Sequence, residues 1–280
     1  MNVRKPAVAG SFYPSDRGEL TRLIDECFLH PLGPGKLPPS APGSANLVSC
    51  VVPHAGYVYS GPVAAHSYLH VSSLPDPELI IIVAPNHYGI GSGVSSYKGG
   101  AWETPLGKMS VDEEGAKKLA NAAGVVDFDP EAHRLEHSLE VQLPFLQRLY
   151  GDKVPFIPVS LAFQDPGTTA EVAKGVAAVL RDRRAVLVAS SDFTHYEPAD
   201  RAKKKDLALA KEIVSMDTEA FYSTLERLQV TACGFGAIAT VMAASKALGL
   251  GRGELLKYAS SGDTTGDNSQ VVGYGALRFV

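Results

Sequence analysis

Three short apolar runs in this 280-residue chain each break off into a polar segment that carries histidine. Val51-Val52 leads into Pro53-His54-Ala55-Gly56-Tyr57, Val83-Ala84 into Pro85-Asn86-His87, and Val188-Ala189 into Ser190-Ser191-Asp192-Phe193-Thr194-His195-Tyr196. Neutral imidazole is a common metal ligand, and its pKa suits it equally to acid-base work. A fourth candidate, Cys233 in Thr231-Ala232-Cys233-Gly234-Phe235-Gly236, stands just before an apolar helix pattern. A helix start favours thiolate, the form that binds metal or attacks a substrate. Two imidazoles and a thiolate would make a facial three-ligand set with coordination positions left open. The competing reading is structural: a hydrogen-bonded imidazole, or a small thiol in a tight glycine-flanked turn. His30, His66 and His70 have no motif around them and are assigned to that structural reading.

The elements that must position these residues follow from the apolar pattern. Runs at Leu47 to Val52, Leu79 to Ala84, Phe156 to Leu161, Ala185 to Ala189 and Val271 to Phe279 read as strands buried on both faces. Helical periodicity covers Asp112 to Ala123, Thr168 to Arg181, Asp200 to Ser215, Asp217 to Leu228 and Phe235 to Leu248. An earlier helix begins at the Asp16-x-x-Glu19 capping pattern and carries Cys27 on its apolar stripe; Cys50 lies inside a strand. The proline-rich stretch Pro31 to Asn46 reads as a loop. Strands alternating with helices predict a single α/β domain, residues 1–280, with a mostly parallel or mixed central sheet flanked by helices. In such sheets ligands bind beyond the carboxyl ends of the strands, which is where the three histidine segments fall.

Charge narrows the partners. With 26 basic against 30 acidic residues the net charge is −4, so the basic field of a nucleic-acid binder is missing. The longest aliphatic run, Leu79 to Ala84, is far short of a membrane span, and no apolar signal segment follows the N-terminal Arg4-Lys5 pair. Three scattered cysteines suit a reducing compartment. These readings predict a cytoplasmic protein with neither nucleic acid nor membrane as partner. His133-Arg134-Leu135-Glu136-His137-Ser138-Leu139-Glu140, if helical, would set Glu136 beside Glu140 and His133 beside His137, either as a solvated face or as groups orienting ligand imidazoles. Ser260 to Asn268 reads as a polar loop.

Several segments together carry a family resemblance. They are Ala9-Gly10-Ser11-Phe12-Tyr13-Pro14, PHAGYVYSGPVAAHSY (Pro53 to Tyr68), PNH (Pro85 to His87), TPLG (Thr104 to Gly107), EHSLEVQLPFLQ (Glu136 to Gln147), SSDFTHY (Ser190 to Tyr196), CGFG (Cys233 to Gly236) and VVGYGA (Val271 to Ala276). In this order they resemble the Memo family, also described as the B component of the AmmeMemoRadiSam system. The resemblance implies a fold similar to the LigB-type class III extradiol dioxygenases, which are non-haem iron(II) enzymes. It implies that His54, His87 and Cys233 are the metal ligands and that Asp192 and His195 line the same pocket. The family has cysteine where those enzymes use a carboxylate, a softer ligand set that suits iron or copper and also admits zinc, and the likeness to iron(II) enzymes makes Fe(II) the first expectation.

The implied function is a metal-dependent, dioxygenase-like redox enzyme acting on a small molecule or peptide, with other AmmeMemoRadiSam proteins as partners. His195 would act as general acid or base, and Asp192 would fix its tautomer or contribute an acceptor. Two alternatives use the same fold. One is a non-catalytic binding or adaptor module, because animal relatives are described as adaptors that recognise phosphotyrosine peptides. The other is a zinc-dependent hydrolase.

Overall fold

A computed structural model of the chain describes residues 2–39 and 45–280, so residues 40–44 of the expected proline-rich loop lie outside the described residues. The strands are β1 (Val3–Arg4), β2 (Leu47–Val52), β3 (Leu79–Pro85), β4 (Val94–Ser96), β5 (Ala101–Thr104), β6 (Gly107–Ser110), β7 (Asp127–Phe128), β8 (Phe156–Leu161), β9 (Ala185–Ser190), β10 (His195–Glu197), β11 (Gly253–Ser260) and β12 (Val271–Phe279). The helices are α1 (Arg17–Leu29), α2 (Tyr57–Val71), α3 (Glu113–Ala123), α4 (Glu131–Arg134), α5 (Leu143–Tyr150), α6 (Pro166–Leu180), α7 (Ala199–Ser215), α8 (Thr218–Leu228), α9 (Phe235–Ala247) and α10 (Gly262–Thr265).

The central sheet runs β10-β12-β2-β9-β3-β8-β4-β7, with β11 added on β12. Strands β2, β9, β3 and β8 are mutually parallel, and β12 and β4 flank them antiparallel, so the sheet is mixed as the strand pattern predicts. A separate three-stranded sheet, β1-β5-β6, carries the N-terminus; the apolar pattern did not mark it because its strands are short.

Continuous apolar strands form here because both faces of the sheet are covered. Along β3 and β9, Ile81, Val83, Leu187 and Ala189 enter one core, while Ile80, Ile82, Val186 and Val188 enter the other. Each such isoleucine contributes roughly 1.5–3 kcal/mol by burial. Helices α3, α6 and α9 build the first core and α1, α2 and α5 the second.

The chain passes from β2 through α2 to β3 and β8, then returns through α6, on the opposite face, to place β9 between β2 and β3. Three adjacent parallel strands therefore end side by side, with Val52 in register with Ser190 and Val83 with Ala189. Helix α2 carries no stripe in sequence and contains Gly61 and Pro62; it forms because Val63, Ala64, Tyr68 and Val71 pack against the rest of the molecule. Cys27 of α1 sits against Gly61, where any Cβ would collide with its sulfur, so this thiol is a close-packing residue.

Candidate metal centre

Residues beyond the ends of β2, β3 and β9 line one cavity of about 610 Å³, which includes His54, His87, His137, Asp192 and His195. Cys233, in the turn before α9, lies against His54 rather than among the residues that line the cavity. Gly234 is required in that turn, because a side chain there would run into the Ser190 carbonyl, and its N–H donates to Ser191 Oγ at 3.0 Å. This close approach brings Cys233 Sγ to 3.1 Å from His54 Nε2. One ligand atom from each of His54, His87 and Cys233 lies within 4.8 Å of the others. That spacing suits a single ion with bonds of about 2.0–2.3 Å after small side-chain shifts, and the N,N,S donor set fits iron, copper or zinc.

Neighbouring groups decide which nitrogen each imidazole presents. Ser190 Oγ donates to the Ser138 carbonyl at 2.8 Å, so it can only accept from Gln142 Nε2 at 2.8 Å and from His54 Nδ1 at 2.9 Å. His54 is thereby protonated at Nδ1, with the Nε2 lone pair facing the thiol. Glu136 wraps His87: its Oε1 accepts from His87 Nδ1 at 2.9 Å and from Ser138 N at 2.9 Å, and its Oε2 accepts from His87 N at 2.6 Å. His87 also keeps Nε2 free. Ligand imidazoles whose other nitrogen is tied in this way are held in one tautomer and orientation.

The electrostatics suit neutral imidazoles. Burial, then the nearby His87, His137 and His195, holds the His54 imidazolium well below its usual range. Burial alone would raise the Glu136 carboxyl, but the His87 hydrogen bond and the charges of His87 and His137 bring it down to about 2. His137, stacked on His87 with centroids 4.5 Å apart, is lowered to about 4 chiefly by burial.

Two expectations need correction. The helix start does not outweigh burial at Cys233: burial and then the Asp192 carboxylate push its thiol up, so binding a metal would have to expel the thiol proton. Asp192 does not orient His195. Its Oδ1 accepts from His54 N at 2.7 Å, and burial raises its carboxyl to about 6. His195 is oriented by Thr231 instead, through His195 N to Thr231 Oγ1 at 2.8 Å and His195 Nδ1 to the Thr231 carbonyl at 3.0 Å. Donation from Nδ1 leaves Nε2 of His195 as the basic atom.

The segment His133 to Glu140 is not one helix, since α4 ends at Arg134 and a 3-10 turn begins at Glu140. Glu136 does orient a histidine, whereas Glu140 accepts from Arg4 at 2.6 Å, Tyr13 Oη at 2.6 Å and the N–H groups of Ala7 and Val8. His133 lies buried beside Trp102 and Tyr97, away from the cavity. Sequence reading missed Ser190, Gln142 and Thr231 as orienting groups; only the adjacency of Ser190 to Asp192 hinted at one of them. It also missed that Ser261, Thr265 and Asp267 of the late polar segment form a wall of the cavity. That segment contains the short helix α10.

An α/β sheet whose adjacent strand ends turn two imidazoles into one cavity, one of them 3.1 Å from a cysteine sulfur, defines a candidate metal-centre protein. A family model described as Memo-like protein matches residues 4–278. A MEMO1 family protein of Methanopyrus kandleri is 49% identical over 278 residues, spanning 99% of this chain and 98% of the relative. Another from Nitrosopumilus maritimus is 47% identical over 278 residues, spanning 99% of this chain and 100% of the relative. The chain belongs to the Memo family. Its fold is also similar to the crystal structure of an uncharacterized protein from Escherichia coli K12, with a TM-score of 0.56 and 15% identity over 82% of this chain and 98% of that one.

Proposed function

We infer that this protein is a metal-dependent redox enzyme that holds Fe(II) through Nε2 of His54, Nε2 of His87 and Sγ of Cys233. The observation that carries the reading is the pre-set pair of Nε2 lone pairs, fixed by Ser190 and Glu136, beside a cysteine sulfur 3.1 Å from one of them. Bound there, Fe(II) would supply one-electron chemistry with O2 at its open coordination positions. The protein's own part is to seat the substrate in the cavity and to move a proton. His195 takes or gives that proton at Nε2, with Nδ1 committed to Thr231. Asp192 ties the His54 loop through its backbone N–H and supplies a second acceptor at the cavity floor.

The test is metal analysis of protein prepared without oxygen, followed by O2-uptake measurements across candidate small molecules and peptides. About one iron per chain with substrate-stimulated O2 uptake is the expected result. Zinc alone, with hydrolysis and no O2 uptake, would replace this reading with the hydrolase, and a chain that takes up no metal would replace it with a binding module.

A further inference from the structure

Helix α9 begins without a cap of its own. Its N-cap residue is Gly234, which offers no side chain, and none fits there because the turn is pressed against the Ser190 carbonyl. The first N–H groups of a helix have no partner within it and need acceptors from elsewhere. One acceptor comes from Gln164, distant in sequence, whose Oε1 accepts from Gly236 N at 2.7 Å. The same amide meets the turn a second time, with Nε2 donating to the Cys233 carbonyl at 3.0 Å. An N–H on one side and a carbonyl on the other fix which way the amide faces. Gly236 is glycine for a related reason, since a Cβ there would stand 2.7 Å from Gln164 Cβ.

Gln164 is itself held. It lies in the connection between β8 and α6, and its carbonyl accepts from Tyr222 Oη at 2.8 Å. The residues just before it grip the loop that carries His87. Asn86 N donates to the Leu161 carbonyl at 2.8 Å, and the N–H groups of Ala162 and Phe163 donate to the Gly93 carbonyl at 2.8 and 2.9 Å. The segment from Leu161 to Gln164 therefore bonds both the loop of one candidate imidazole ligand and the turn of the thiol.

We propose that Gln164 is a positioning residue for the cysteine ligand: by holding both ends of the Cys233 to Gly236 turn, its amide fixes where Cys233 Sγ stands relative to the two imidazoles. This rests on the reading of His54, His87 and Cys233 as one metal site. Gln164 is not among the residues lining the cavity, so it acts on the ion through the backbone of the turn. Partners one step removed from the ligating atoms typically change metal affinity by about 10- to 100-fold when lost.

Cobalt(II) titration tests this, because a thiolate bound to cobalt gives a near-ultraviolet charge-transfer band that reports how the sulfur meets the ion. The parent protein should show the band and Cys233→Ser should lack it. Gln164→Met keeps a side chain of similar length beside Gly236 and removes both hydrogen bonds, so Co(II) affinity should fall about tenfold and the band should shift or weaken. Gln164→Glu keeps an acceptor for Gly236 N and loses the donor to the Cys233 carbonyl. A carboxylate is favourable at a helix start, so the unfolding midpoint of this variant without metal should stay near the parent value while its band changes as in Gln164→Met. An unaltered band in either variant, parental Co(II) affinity in Gln164→Met, or a band change in Gln164→Glu that comes with a lowered midpoint overturns the proposal. A parent protein without the thiolate band overturns the ligand assignment and the proposal with it; that result is read on the parent alone, so the two failures are separable.

Discussion

Replacing His54 by alanine removes the nitrogen nearest Cys233 Sγ, so His54→Ala should lose its metal under conditions where the parent protein holds it. His195→Ala removes a side chain whose ring is tied to Thr231, and should leave metal content near the parent value while lowering turnover roughly 100-fold or more. Loss of metal from both variants to the same degree would place His195 among the ligands. Glu136→Gln keeps the shape but ends the charge-assisted hold on His87 Nδ1. A change of this kind typically costs 10- to 100-fold in metal affinity, and competition with a metal chromophore reads it directly. An unchanged affinity would mean that the backbone bond from His87 N suffices to set the loop.

Among elements, β1 is the short strand with the largest consequence. Arg4 Nε donates to the His133 carbonyl at 2.7 Å, Nη2 to the Glu136 carbonyl at 2.7 Å and Nη1 to Glu140 at 2.6 Å, with the guanidinium 4.2 Å above the Trp102 ring. Both the pair and its surroundings are buried. Arg4→Ala would leave Glu140 without its buried counter-charge, so a loss of about 3–5 kcal/mol in denaturant unfolding is expected. The same variant frees the carbonyl of Glu136, so metal affinity should fall in the portion that remains folded. A destabilised protein with full metal affinity would show that the Glu136 loop holds without β1.

For the molecule as a whole, acid sensitivity follows from buried neutral imidazoles. Burial, with Arg4 nearby, lowers His133 to about 3, and burial lowers His70 to about 4. In the unfolded chain both titrate near 6.5, so between those values the unfolded state binds more protons. Their contribution is intact above about pH 6.5 and is lost as pH falls toward 4 and then 3. Unfolding free energy of the metal-free protein should therefore decline over that window, and His133→Gln should make the slope shallower by up to one proton. A slope identical in the two proteins would show that His133 is not a source of the acid loss. No described helix is long and apolar enough to cross a membrane.

The sequence by itself determined the strands β2, β3, β8, β9 and β12, because short apolar runs bounded by turn residues are too brief for buried helices and fit strands covered on both faces. It also marked His54, His87, Cys233 and His195, since polar residues at strand ends and before a helix announce themselves against an apolar pattern. It could not order the strands, and only the return of β9 between β2 and β3 makes those residues neighbours. Nor did it mark α2, whose helix rests on tertiary packing, or separate Glu136 from Glu140, which lie four apart in sequence yet serve a cavity histidine and a buried arginine. Tautomers were decided last of all. Whether an imidazole offers Nδ1 or Nε2 depends on acceptors such as Ser190, Glu136 and the Thr231 carbonyl, distant in sequence and brought within 3 Å by folding.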